Sequence, residues 1–233
     1  YTLASPEAQK TQEAADGIGR LQTGVAPAAP LQPYLRAVQA YQQQRADPQA
    51  YPGSCRLAAQ LARPTDRLVL AEYHPEDATT LAANLRRQRQ VQVLAADGYS
   101  QLKAHLPAAE KRAVVLLDPP FEEPTEFATL STALSTIYTR APNTCTLVWY
   151  PVKAGEGPTQ LATTAISLAP TGGVLNLALT LPPAAVRPRP HEADHRTPPL
   201  RQTGLMVLNP PYSARAALAE LPAACALVLG GEG

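Results

Sequence analysis

A run of four aliphatic residues that ends on an acid and two prolines constrains this chain more than any other feature. Residues 114–117 read Val-Val-Leu-Leu, and Asp118, Pro119, Pro120 and Phe121 follow directly. Two of the aliphatic residues are β-branched, which predicts a strand buried on both faces of a parallel sheet. Proline cannot continue a hydrogen-bonded ladder, so we expect the strand to end at Asp118. Ligands of open parallel sheets bind at the carboxyl ends of the strands.

The rest of the chain alternates strand and helix patterns, as a parallel α/β sheet requires. Predicted strands cover 67–73, 91–96, 113–117, 144–150, 174–181, 204–208 and 225–229. Predicted helices follow them at 75–88, 98–106, 124–140, 157–167 and 213–221. Three earlier helices are predicted near 5–22, 31–46 and 55–63, with Ser54 as the cap of the third. We therefore expect a helical part, 1–63, before a sheet-containing core, 64–233, which carries a Pro/Arg-rich loop at 182–200.

Two further acids close predicted strands. Glu72 ends the strand Leu68-Val69-Leu70-Ala71, and Asp97-Gly98 ends the next one. In nucleotide-binding α/β sheets an acid at the end of the second strand accepts hydrogen bonds from ribose hydroxyls. The alternative for each acid is a helix N-cap, because acids are favoured there. That alternative is stronger for Asp97 than for Glu72.

Net charge, cysteine content and the length of apolar runs limit the classes of protein to which this chain can belong. A net charge of +1 over 233 residues excludes a strong overall basic field, so any RNA contact must come from local patches. The three cysteines, Cys55, Cys145 and Cys225, are predicted to be buried thiols in a reducing compartment. We find no run of 18 apolar residues and expect no membrane span. The chain starts at Tyr1, which favours a processed or incomplete chain.

The order of short motifs along the chain resembles one family, the bacterial RlmJ-type methyltransferases, which methylate an adenine N6 in large-subunit ribosomal RNA. The matching segments are 10–14, Gly17-Ile18, Arg20-Leu21, 51–54, 71–75 with Asp77, 97–103, 118–121, 149–152 and 208–212. They occur in the family's order over nearly the whole chain. Asp-Pro-Pro-Phe is the motif that amino-methyltransferases using S-adenosylmethionine place at a strand end.

The resemblance implies a Rossmann-like class I methyltransferase fold with a doubly wound, mostly parallel sheet. It implies S-adenosylmethionine as cofactor, no metal, and ribosomal RNA as partner. Carried over by position, the catalytic residues would be Asp118, Pro119, Pro120 and Phe121. The residues that face the cofactor would be Ser54, Glu72, Asp97 and Gly98. In this chemistry a carboxylate and a proline carbonyl localise the lone pair of the amine, and an aromatic ring stacks on the flipped base.

The chain also departs from the family pattern. Family members begin with a basic stretch, a strand and a glycine-rich cofactor turn, and this sequence starts after them. A sheet without that strand would have two free inner edges, so we expect another polypeptide or another segment to supply it. An alternative function is therefore a catalytically inactive, methyltransferase-derived structural subunit of a larger assembly, for example a mitochondrial one. The expected location is the cytoplasm, or an organellar matrix for a processed subunit.

Four other sequence motifs could also have a function. Asn209-Pro210-Pro211-Tyr212 is a second motif of the catalytic type, in a segment the family does not use for catalysis. His191 to His195 spells the zinc-protease pattern, but flanking prolines leave no helix to present both histidines. The arginines of the 182–200 segment are either solvated or an RNA or protein contact. Trp149 and Tyr150 either wall a base pocket or pack as core.

Overall fold

The computed structural model describes residues 2–3, 15–23, 29–152, 155–168, 170–181 and 200–230. The chain divides into two compact units, and each is described by itself. Unit 1 takes the described residues of Tyr1–Gln9 and Gln32–Ala104, and unit 2 takes those of Lys10–Leu31 and His105–Gly233. These units follow contacts within the chain, and the division at residue 63 stays a prediction. Most of the predicted helix 5–22 and nearly all of the 182–200 segment lie outside the described residues.

Unit 1 combines four helices with a pair of parallel strands. The helices are α1 (Gln32–Arg45), α2 (Ser54–Leu61), α3 (Pro75–Leu85) and α4 (Gly98–His105), and the strands are β1 (Leu68–Glu72) and β2 (Val91–Ala95). Helix α1 buries Leu35 and Val38 at helical spacing, and Gln60 of α2 donates a hydrogen bond to the carbonyl of Ala37 at 3.0 Å. The strands run parallel from Leu68 opposite Val91 to Glu72 opposite Ala95. Both strands therefore end at the same edge.

Unit 2 contains a four-stranded sheet in the order β3-β4-β6-β5. The strands are β3 (Val114–Leu117), β4 (Cys145–Pro151), β5 (Val174–Thr180) and β6 (Gln202–Leu208), and the long helices are α5 (Glu126–Arg140), α6 (Gly157–Ser167) and α7 (Arg215–Leu229). Short helical segments lie at Ala15–Gly19, Arg20–Thr23, Ala29–Leu31 and Tyr212–Ala214. Strand β4 pairs parallel with β3 and antiparallel with β6, and β5 pairs antiparallel with β6. The core is formed by fully buried apolar side chains of α5, α6 and the central strands: Leu130, Leu134, Ile137, Leu161, Val148, Met206 and Leu208.

The predicted α/β class with parallel strands is confirmed, and the predicted elements between 31 and 208 are found within a few residues of their expected bounds. Within the described residues β1 pairs only with β2, and β3 pairs only with β4. Each of these two strands thus has one edge free of partners in the part of the chain that the structure describes.

Strand β3 is not buried on both faces, which corrects the prediction from its composition. Val114 is 73% exposed and Leu116 is 52% exposed, whereas Leu117 is buried. Val114 and Leu116 share one face because side chains alternate along a strand. The described residues leave much of that face uncovered. An aliphatic run indicates that both faces of a strand can be buried. Each face is buried only where another element of the protein covers it.

Two local predictions near helix ends are also wrong. The N-cap of α2 is Gly53 and makes no side-chain hydrogen bond, so Ser54 is the first helical residue and does not cap the helix. Residues 225–229 are not a strand, because α7 runs without interruption from Arg215 to Leu229 through Pro222. A short apolar run cannot be assigned to strand or helix by its periodicity alone. Here the run continues an alanine-rich helix.

The segment Tyr212–Leu229 is long and apolar enough to cross a membrane by length and composition, with a mean hydropathy of 1.3. This differs from the expectation that no such stretch exists. Core helices of soluble proteins meet the same criterion, and no membrane protein is identified by a single helix of this kind. Leu227 is 52% exposed, so part of the apolar surface of α7 is uncovered by the described residues.

Candidate functional site

Two of the predicted cofactor-binding acids lie at one edge of the sheet in unit 1. Glu72 is the last residue of β1, and its carbonyl accepts a hydrogen bond from the backbone N–H of Ala96 at 3.0 Å. One side-chain oxygen of Glu72 accepts the backbone N–H of His74 at 3.0 Å. The other oxygen has no hydrogen-bond partner among the described residues. Glu72 can therefore accept a further donor such as a hydroxyl.

Asp97 follows β2 and caps the next helix. Its two carboxylate oxygens accept the backbone N–H groups of Tyr99 at 3.2 Å and Ser100 at 3.0 Å, while the Ser100 hydroxyl donates to the carbonyl of Asp97 at 2.6 Å. Both oxygens thus serve the first turn of α4. The N-cap alternative is present at Asp97, and any ligand contact would have to share an oxygen with the helix.

Ser54 and Gly98 complete the predicted cofactor set in unit 1. Ser54 is exposed at the start of α2, next to Cys55. Burial is the main cause that raises the pKa of the Cys55 thiol, and the nearby Glu72 charge raises it further. Gly98 begins α4, and a Cβ there would lie 3.7 Å from the Cβ of Ala71, which is ordinary contact. Packing therefore does not by itself require glycine at this position.

The predicted catalytic acid lies in unit 2, directly after β3. Asp118 is exposed to solvent as a residue, and no described residue donates a hydrogen bond to its carboxylate. Partial desolvation of the carboxyl group raises the pKa of Asp118 above its ordinary value. Unlike Asp97, this acid is not committed to a helix. Its carboxylate is available to accept hydrogen bonds from a ligand.

Phe121 has a positive φ of 53°, a conformation that bulky residues rarely adopt. Its ring lies 5.1 Å from that of Phe127 with an interplanar angle of 52°, and 6.0 Å from that of Trp149 with an angle of 69°. These centroid distances are typical of paired aromatic rings. The loop after Asp118 is thus anchored by aromatic packing, and strain of this kind persists only where the surroundings hold the residue in place.

The adjacent residues Trp149 and Tyr150 have different roles. Tyr150 is 3% exposed and its hydroxyl donates to the Asn176 side-chain oxygen at 2.6 Å, so it is a core residue. Trp149 points to the other face of β4, is half-buried and contacts Phe121. Of the two open alternatives, core packing holds for Tyr150, and Trp149 stands beside the predicted base-stacking residue.

The second proline motif lies at the opposite edge of the same sheet. Strand β6 runs antiparallel to β4, and Leu208 stands opposite Thr146 near the start of β4. Asn209 therefore lies at the amino-terminal edge, away from Asp118. Its side-chain oxygen accepts the N–H of Gly172 at 2.7 Å, and its side-chain nitrogen donates to the carbonyls of Pro142 at 2.7 Å and Thr144 at 3.2 Å. The Asn209 side-chain amide therefore connects the loop at Gly172 with the segment 142–144, and its hydrogen-bonding groups are used within the protein.

A shallow cavity of about 180 Å³ also opens at that amino-terminal edge. Its lining includes Lys111, Arg140 and Asn143, and the Arg140 Nε donates to the carbonyl of Leu106 at 2.7 Å. The cavity has no share in the predicted site, because Asp118 follows the other end of β3. Among the described residues no group of three or more His, Cys, Asp or Glu side chains could hold a metal ion. The zinc-protease pattern at 191–195 lies outside them.

The residues in unit 1 fit the ribose end of S-adenosylmethionine in part. The free oxygen of Glu72 suits a pair of hydroxyls, whereas the N–H groups of Tyr99 and Ser100 at the start of α4 are already bonded to Asp97. Sequence reasoning missed Phe127, whose ring packs against Phe121 in the loop after Asp118, and Gly157, which lies against the Phe127 ring. The sequence shows an aromatic residue in the first turn of α5 and a glycine at the start of α6, and no spacing rule links the two.

Comparison with known proteins identifies relatives over nearly the whole length. The family described as ribosomal RNA large subunit methyltransferase D, RlmJ, matches residues 1–230. The ribosomal RNA large subunit methyltransferase J of Haemophilus influenzae is 31% identical over 221 residues, which cover 95% of this chain and 75% of that protein. The protein of the same name from Escherichia coli is 30% identical over 214 residues, covering 91% of this chain and 71% of its own.

A solved structure shares the fold. The crystal structure of protein LPL1258 from Legionella pneumophila superposes with a TM-score of 0.79 at 25% sequence identity. The match covers 100% of this chain and 81% of the Legionella chain.

Proposed function

Because this chain belongs to the RlmJ family of ribosomal RNA large subunit methyltransferases, we propose that it methylates the N6 amine of an adenine in large-subunit ribosomal RNA. The methyl donor is S-adenosylmethionine, which supplies an activated methyl group when bound. The observation that carries the proposal is the state of Asp118. It is an acid at the end of a parallel strand, and no described residue donates a hydrogen bond to its carboxylate.

Asp118 and Pro119 are the groups that hold the target amine. The lone pair of an adenine amine is delocalised into the ring, which makes the amine a poor nucleophile. The Asp118 carboxylate and the Pro119 carbonyl accept hydrogen bonds from the two N–H groups and localise that lone pair. Pro120 keeps the loop from continuing the strand. Orientation of the amine then contributes most of the rate enhancement.

Phe121 stacks on the flipped adenine. Its ring is held by Phe127 and Trp149, so the face turned away from these rings can meet a base without the loop having to reorganise. Stacking of a base on an aromatic side chain contributes about 1–3 kcal/mol. The remaining RNA affinity comes from local basic patches, since the net charge is only +1.

The cofactor side of the proposal rests on unit 1. Glu72 accepts hydrogen bonds from the ribose hydroxyls with its free oxygen, and Asp97 with Gly98 borders the adenine ring of the cofactor. Ser54 contributes a hydroxyl from the start of α2. We also propose that a strand from another segment or polypeptide pairs with the edge of β3 that has no partner among the described residues.

The alternative of an inactive structural subunit receives no support from the comparisons, because both relatives are named as methyltransferases. Both are bacterial proteins, and we place this chain in the cytoplasm, where bacterial ribosomes are made. None of the findings favours an organelle.

Methyl transfer from labelled S-adenosylmethionine to large-subunit ribosomal RNA tests the proposal. We expect transfer by the wild-type chain and its loss in Asp118→Ala, with cofactor affinity in calorimetry retained. Asp66→Asn is the matched control, since Asp66 is a surface acid paired with Arg63. Transfer by Asp118→Ala at the wild-type rate would refute the role of Asp118. A wild-type chain that neither binds the cofactor nor methylates RNA would refute the enzyme itself.

A further inference from the structure

Gly157 lies against an aromatic ring in unit 2. It is the first residue of α6, and a Cβ at this position would overlap the ring of Phe127, with Cε2 only 2.8 Å away and two other ring atoms closer still. Contacts under 3.0 Å are essentially never seen for real Cβ atoms. The Phe127 ring therefore occupies the space that any side chain at 157 would need.

Phe127 also contacts the loop that follows Asp118, through the ring of Phe121. Its ring lies 5.1 Å from that of Phe121 and 6.3 Å from that of Tyr150, and Phe121 also contacts Trp149. We call Phe121, Phe127, Trp149 and Tyr150 the aromatic cluster. Tyr150 is anchored in the core by its hydrogen bond to Asn176. The cluster thus connects a fixed core residue to the residue at positive φ.

A positive φ does not explain the glycine at 157. Gly157 has no positive φ, and it occupies the first position of a helix, directly before Pro158. Beyond its immediate chain neighbours, the contact that a Cβ at 157 would make is with the Phe127 ring. The Phe127 ring can therefore keep its position only if residue 157 has no Cβ.

We propose that Gly157 is a positioning residue for base recognition, because it lets Phe127 pack beneath Phe121 and fix the ring that receives the target adenine. The inference rests on the proposed function and deepens it. Gly157 touches neither the base nor the cofactor, and it acts through Phe127. Displacing the Phe127 ring moves Phe121 and lowers productive binding of RNA, while cofactor binding is unaffected.

The variant Gly157→Ala tests this directly. We expect kcat/KM for ribosomal RNA to fall on the order of tenfold to a hundredfold, the size of loss that small misplacements cause. The affinity for S-adenosylmethionine should stay at the wild-type value. Gly17→Ala is the matched control, because a Cβ at Gly17 meets nothing within 4 Å. Equal kcat/KM for Gly157→Ala and wild type would overturn the inference.

Trp149 supplies a readout that a purely structural role would not change. It is the single tryptophan of the chain, and its ring contacts Phe121, so its fluorescence reports on this loop. We expect RNA to change the Trp149 emission of the wild type and of Asp118→Asn, and to change that of Gly157→Ala much less. An RNA-induced change of wild-type size in Gly157→Ala would contradict the inference.

A double-mutant cycle with Phe127→Leu separates the clash from general damage. Leucine removes the ring, so Phe127→Leu alone should lower kcat/KM several-fold, and the added methyl of Gly157→Ala should then cost little more. If Gly157→Ala does not fold, Phe127→Leu carries the test, and its wild-type kcat/KM would overturn the inference. A wild-type chain that methylates no RNA would refute the proposed function, whereas an active wild type with an equally active Gly157→Ala would refute only this inference.

Discussion

Tyr150 stands directly opposite Gly204 across the antiparallel strands β4 and β6, and its ring covers the glycine where a side chain would project. An aromatic residue that covers a cross-strand glycine replaces the packing that the glycine lacks. Gly204 is buried, so the ring has no room to move aside. The pair therefore fixes the position of Tyr150, on which the aromatic cluster rests.

Gly204→Ala should lower the free energy of unfolding. The added methyl group would overlap the Tyr150 ring, and overpacking of a buried site costs about 1–3 kcal/mol. Urea denaturation followed by circular dichroism measures the change, with Gly17→Ala as the control that should match the wild type. A stability equal to that of the wild type would show that the ring shifts freely.

Asn209 should be essential for stability and dispensable for chemistry. Its amide joins Gly172, Pro142 and Thr144, and its φ is 51°. Asn209→Gly keeps the backbone conformation and removes the hydrogen bonds, so we expect a loss of about 2–3 kcal/mol from the bonds alone. Asn209→Ala should lose more, because alanine is strained at positive φ.

Methyl transfer at a temperature where both Asn209 variants are folded tests the second half of that prediction. We expect kcat of Asn209→Gly to match the wild type, in contrast to Asp118→Ala. Loss of transfer in a fully folded Asn209→Gly would return this motif to the list of catalytic candidates.

The raised pKa of Asp118 gives the stability of the protein a defined pH dependence. Desolvation raises its pKa in the folded state, so its stabilising contribution is complete below the ordinary value of 3.8 and is lost as the pH rises through the folded value. Asp118→Asn cannot ionise and escapes this loss. We expect Asp118→Asn to melt at a higher temperature than the wild type at neutral pH, with the difference closing below about pH 3.8. A constant difference across this pH range would contradict the assigned cause.

The same titration should appear in activity. The amine donates to the ionised carboxylate, so acidification should reduce kcat/KM at a higher pH than an unperturbed aspartate would give. A pH–rate profile without a group in the acid limb would argue that Asp118 does not accept hydrogen bonds from the substrate.

The two faces of β3 should respond differently to substitution. Leu117 is buried, and Leu117→Ala should cost about 2–5 kcal/mol. Val114 is 73% exposed, so Val114→Thr should stay within about 0.5 kcal/mol of the wild type. Chemical denaturation of both variants measures the contrast. A large loss for Val114→Thr would mean that another element covers this face in solution.

The sequence predicted the alternation of strands and helices because that pattern is local. Each strand run is bounded by turn residues, and each helix between 31 and 221 carries its own apolar stripe. The acid that ends β3 could be placed for the same reason, since two prolines follow it. The sequence also favoured Asp118 over Asn209 as the catalytic candidate. The physical reason that separates the two residues is the reversed direction of β6, which depends on pairing between distant segments.

What the sequence could not provide depends on contacts between distant residues. The exposure of Val114 depends on which segments cover β3, and an aliphatic run carries no record of that. The pairing of Gly157 with Phe127 joins residues thirty positions apart. The run 225–229 contains the same residue types as a buried strand, and only its continuity with Arg215 and the residues after it makes it helical. The roles of Ser54, Glu72, Asp97 and Gly98 toward a cofactor stay predictions.

Strand β4 has neighbours of opposite direction on its two sides, parallel β3 on one and antiparallel β6 on the other. Two loops with nearly the same tripeptide chemistry are thereby sent to opposite poles of one sheet. A substitution that weakens the hydrogen bonds of Asn209 therefore acts at one edge of the sheet, and the loop after Asp118 lies at the other edge. The direction in which the strands pair, more than the residue types of the motif, decides which of the two similar loops is free to bind a substrate.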